Sequence, residues 1–168
     1  MTSLDQFEKA IRARNPILAE RLQAGLAEAK VRKMLQRVGV EGNSESIVQL
    51  FAWKDGSVLD PSVKEEHASP FPGSAFMFLD LDMMISHFKE YKECARYHPR
   101  YEKVAGRFFP LFWDGSDNWI ALDLDQGRIV LLETQLEQMV RNLSDSLERF
   151  LKDAIRANEK DEQMIGFN

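Results

Sequence analysis

The sequence predicts an α+β domain: a mainly antiparallel sheet with helices packed against it, a helical N-terminal third and a closing C-terminal helix. Three observations carry that expectation. Apolar residues recur at helical spacing through the first third. The period shortens between Phe108 and Leu132, where two tight turns separate three strand-like runs. Helical spacing then returns towards the C-terminus. With 168 residues the chain has the length of one domain, which buries roughly 70% of its unfolded surface and needs no staples. Residues 1–158 are expected to form it, with 159–168 as a flexible tail. A hydrophobic fraction of 44% beside 29% charged residues argues against disorder.

Leu4, Phe7, Ala10 and Ile11 define a first helix behind a Ser3–Gln6 capping box. Asn15-Pro16 restarts a helix, Asn15 as cap and Pro16 at the first helical position. Leu18, Leu22, Leu26 and Ala29 make one stripe. Val31, Leu35 and Val38 continue it on a shifted face, with a bend near Gly25, until Gly39 and Gly42 stop the run. A short helix from Glu45 to Ala52 follows, capped by Ser44, and Asp55-Gly56 signals a turn.

Residues 58–74 contain Pro61, Pro70, Pro72 and Gly73 with little periodicity and read as a loop. Ala75 to Leu79 is a continuous apolar run that fits a strand covered on both faces. Asp80 or Asp82 caps a helix reaching about Arg96, with Leu81, Met84, Ile85, Phe88 and Ala95 inward and Pro99 closing it. Phe108–Trp113, Trp119–Leu124 and Arg128–Leu132 are strands joined by the turns 114–118 and 125–127. Connections this short imply an antiparallel meander. The last segment admits two readings: one long helix from Leu136 to Ile155, or a separate helix from Asp145 to Asn158 capped by Ser144.

The order of these elements resembles the SUKH superfamily, which includes yeast cell-wall-synthesis regulators and bacterial toxin-immunity proteins. Four stretches between Ala27 and Asn158 carry the resemblance: Ser46–Gly56, the strand-then-helix Phe76–Phe88, Phe109–Leu124 with its glycine turn and Asp-Leu ending, and Leu143–Leu151. The family's Leu-Pro before the short helix is missing, with Gly42-Asn43 near that place. Asp117 stands where the family often has a second glycine. The resemblance implies a short strand over Glu137–Asn142 and a binding module, often an immunity protein that blocks a toxin's enzyme domain. It brings no catalytic residues.

The net charge of −5 and a pI near 5.3 argue against nucleic-acid binding, which needs clustered Lys and Arg, and suit a basic partner. Cys94 is the single cysteine, so no intrachain disulfide forms. The N-terminus lacks a signal-peptide pattern and no apolar run reaches the ~20 residues of a membrane span, so a cytoplasmic location is the expectation.

His87, Cys94 and His98 share one stripe of a helix, the residue types that bind zinc or form a thiol–imidazole pair. Positions i and i+7 lie about 10 Å apart along a helix axis, too far for one ion, so the stripe reads as the border of the apolar face. Neither a metal nor another cofactor is expected. Asp80/Asp82, Asp114/Asp117 and Asp123/Asp125 read as caps and turn residues. Trp53, Trp113 and Trp119 each lie beside a turn that carries aspartate, the pairing of aromatic anchor and charged rim that protein interfaces use. The expected partner-binding set is therefore Trp53, Asp55, Asp114, Asp117, Trp119 and Asp125. A regulator or scaffold of the same fold, or a small enzyme built on His87, Cys94 and His98, are the alternatives.

Overall fold

The computed structural model describes residues 1–58, 62, 67–134 and 139–164. Helix α1 (Ser3–Arg14) begins with a capping box one residue earlier than expected: the Thr2 hydroxyl accepts from the Asp5 N–H and the Asp5 carboxylate accepts from the Thr2 N–H. Asn15 caps α2 (Pro16–Arg21) through its side chain, as the Asn-Pro pair predicts.

The helix expected from Pro16 to Val38 is broken. After α2 the chain forms β1 (Leu22–Ala24) and only then α3 (Glu28–Arg37). The reason is tertiary. Strand β1 pairs with β2 (Lys54–Ser57), which follows α4 (Glu45–Trp53). Gly25 passes so close to the Ala52 carbonyl that a Cβ there would overlap it. Asp55-Gly56 thus lies inside a strand rather than a turn. Gly56, at φ 75°, lets that strand run against the backbone of Leu79 and Asp80.

The expected strand at 75–79 reduces to one bridge, Met77 to Trp113. The loop expected over 58–74 lies partly outside the described residues. Asp80 caps α5 (Leu81–Ala95) by accepting from the Met83 N–H, and a 3₁₀ turn (Pro99–Lys103) follows.

Strands β3 (Phe108–Trp113), β4 (Asn118–Asp123), β5 (Ile129–Glu133) and β6 (Val140–Ser144) form an antiparallel sheet in sequence order. The meander read from the turns is there, and a fourth strand completes it. Helix α6 (Leu147–Lys160) closes the chain, capped by Ser146 and not Ser144. The single long helix from Leu136 is excluded by β6. The strand implied over Glu137–Asn142 is shifted to 140–144, and its first residues lie outside the described set. The segment read as a tail is helical as far as Lys160, and Met164 is buried. Residues 165–168 lie outside the described residues.

Strands β3, β4 and β5 are buried along nearly their whole length, so little of their residue alternation ends in solvent. On one side Phe112 meets Phe71, Phe78 and Phe150, while α5 lies along β3, with Phe88 against Phe109. A polar clamp joins the two ends of the chain: Arg14 donates to the Asn158 side-chain oxygen at 2.6 Å and to the Ser69 carbonyl, and Asn158 donates to the Pro70 carbonyl. Among the described residues no helix is long and apolar enough to cross a membrane.

Candidate binding site

The six expected residues do not form one surface. Trp53 is a packing residue: its ring stacks on Phe78 and tilts against Phe7, and its Nε1–H is buried without a hydrogen-bond partner among the described residues. Asp55 accepts from the Leu81 N–H at 2.9 Å and so serves the start of α5 beside the Asp80 cap. Burial pushes its pKa up, an effect that the Leu81 hydrogen bond opposes and the Asp80 charge reinforces.

Asp125 lies at the β4–β5 turn, at the C-terminal end of β4. The centre of that end is Asp123, fully buried, which accepts from Arg107 at 3.0 Å and Arg128 at 3.1 Å. The exposed Asp125 adds a 3.4 Å contact to Arg107. Burial alone raises the pKa of Asp123. The Arg107 hydrogen bond and charge, with the N–H groups of Asp125 and Gln126, outweigh it and hold the carboxyl below its ordinary value. This end is a closed ionic network that fastens a turn.

The other end of β4 is different. The turn 114–117 places Trp113 opposite Trp119 in the β3–β4 ladder, and their rings stack with centroids 5.5 Å apart. Asp114 is consumed inside the turn: its carboxylate accepts from the Ser116 N–H and hydroxyl and from the Asn118 side chain. The Trp113 Nε1–H donates to the Ser116 carbonyl at 2.6 Å, which fixes the indole against the turn. Across from it, α5 presents His87, 4.4 Å from Trp119 between ring centroids, and one turn later Tyr91, edge-on to Trp119. Tyr101, from the 3₁₀ turn, completes the wall.

Together these groups line a recess of about 200 Å³ with Glu90, Cys94, Ser116, Asp117 and Thr134 at its margin. Asp114, Asp117 and Trp119 are therefore brought together at this end, while Trp53, Asp55 and Asp125 are elsewhere. No Lys or Arg is among its described lining residues. Of the histidine–cysteine stripe, His87 and Cys94 reach the recess, and exposed His98 turns to Tyr101. Among the described residues no group of three or more His, Cys, Asp or Glu side chains is arranged to hold a metal ion.

Sequence reasoning missed Tyr91, Tyr101, Glu90 and Thr134. Tyr91 was within reach, since it stands four residues after His87 on the same helix face. Tyr101 and Thr134 come from segments that only the tertiary fold brings near. Trp113 was noted for its turn, and the pairing of 113 with 119 follows from a turn centred on Ser116.

Fold and site thus describe an α+β domain with an aromatic, carboxylate-rimmed recess at one end of a four-stranded meander. No protein-family model matches the chain, and no curated protein matches it significantly.

Proposed function

We propose that the chain is a non-catalytic protein-binding module of SUKH type, which acts as an immunity protein by covering the working surface of a basic toxin domain in the cytoplasm. The observation that carries this reading is the recess itself. Two tryptophans and two tyrosines converge with Asp117 and Glu90 where the β3–β4 turn meets α5. Rigid aromatic side chains within a polar rim are what binding hot spots are made of. The chain's negative charge adds long-range attraction to a basic partner.

The test is co-expression with the product of the gene directly upstream of this chain's own. Support is restored growth together with a purified complex that weakens as salt rises. Growth inhibition that persists beside the folded chain, with no complex formed, refutes the immunity role. A stable complex with a regulatory protein and no toxin would make the chain a scaffold instead.

A further inference from the structure

The recess has the chemistry of a cation receptor. Its walls are Trp113, Trp119, Tyr91 and Tyr101, and its carboxylates are Asp117 and Glu90. Glu90 lies 3.4 Å from the His87 ring nitrogen, a contact that is an ion pair only when the imidazole is protonated. The electrostatics agree with the geometry. Burial pushes the Tyr91 hydroxyl pKa up, and the neighbouring Tyr101, Asp117, Glu90 and Cys94 push it further, as they do in a site that disfavours added negative charge. Tyr101 already carries the Arg100 guanidinium over its ring at 4.8 Å, so a ligand's aromatic contact falls to the part of half-buried Trp113 that Trp119 and His87 leave uncovered.

Size narrows the class. Pockets for drug-sized ligands run from about 300 to 1,000 Å³, and about 200 Å³ suits one side chain. A guanidinium stacks on an indole face while its planar fork of N–H groups reaches carboxylate and carbonyl oxygens. A lysine ammonium offers no plane to stack.

We propose that this recess binds one arginine side chain presented by a protein partner. The proposal deepens the protein-binding reading and rests on it for the partner, but the recess itself can be tested without one. The probes are the N-acetyl amide of arginine and that of citrulline, its uncharged isostere, titrated into the full chain. The indole N–H resonances of Trp113 and Trp119 report on the recess, and Trp53, which does not line it, is the internal reference.

The expected result is saturable shifts at Trp113 and Trp119 with Kd on the order of millimolar for arginine, and citrulline about 10-fold weaker. Asp117→Asn is expected to weaken the arginine amide about 3-fold and to leave citrulline unchanged. Equal binding of the two amides would reduce the recess to an apolar hollow and overturn the proposal. So would no shift at tens of millimolar, on the order of ten times the expected Kd, or shifts confined to Trp53. Binding of free arginine but not its capped amide would mark a metabolite site and also overturn it. Success here beside failed toxin neutralisation rejects the immunity role alone, and the reverse rejects this recess alone.

Discussion

The two ends of strand β4 are built from similar sequence and have opposite fates. Each is a turn that carries aspartate and glycine, 114–117 at one end and 124–128 at the other, separated by roughly 17–20 Å of strand. At the C-terminal end Arg107 and Arg128 converge on Asp123, so the carboxylate is buried, paired and structural. At the N-terminal end Asp114 is held by Ser116 and Asn118 of its own turn, aromatic rings from α5 and β3 form the adjoining wall, and no Arg or Lys is among the described residues that line the recess. A carboxylate's role is thus set by what the fold carries to it, and the turn that holds it decides little.

The comparison breaks most readily at Asp123. Replacing it with alanine strands two arginines and the N–H groups of Asp125 and Gln126, and is expected to cost about 3 kcal/mol in urea unfolding. That figure takes the low end of the range because both arginines are about a third exposed. A loss below 0.5 kcal/mol would show the network to be ornamental.

The same group predicts a pH dependence. Its folded pKa is lowered, so its contribution is fully present above the unfolded value, about 3.9, and is lost as pH falls below it towards the folded value. The stability gap between the wild type and Asp123→Asn should therefore be constant near neutrality and close in acid. A gap that widens below pH 4 would reverse the assignment.

Asp114→Ala removes four hydrogen bonds that the carboxylate accepts from Ser116 and Asn118 and is expected to cost about 1–2 kcal/mol, read by thermal unfolding. Asp117→Asn, an isosteric change at an exposed position that keeps the backbone carbonyl to which Thr134 donates, should cost less than the Asp114 change, about 1 kcal/mol at most. That ranking would separate the structural aspartate from the proposed recognition aspartate three residues further along the same turn.

The parts legible in the sequence are those with local causes. The Asn15-Pro16 helix start, the Asp80 cap and the meander around its two short turns all follow from residues within a few positions of the feature. The break at Leu22–Ala24 was not legible, because Leu18, Leu22 and Leu26 satisfy helical spacing. What overrides that spacing is pairing with a strand thirty residues away. Asp55 failed for the same reason: Asp-Gly is turn chemistry locally, but here it is fixed by β1 and the start of α5. The site was half legible. Trp119, Asp114 and Asp117 stand together because one turn joins them, whereas Trp53 and Asp125 were joined to them only by type.

The most direct measurement is a paired one, with unfolding free energy and arginine-amide affinity determined for Asp117→Asn and Asp123→Asn in the same buffer. The division of labour along β4 predicts that the first variant loses affinity and keeps stability, while the second loses stability and keeps affinity below its melting range. If both quantities fall together in both variants, the two ends are one structural unit and the recess is not a separate recognition site.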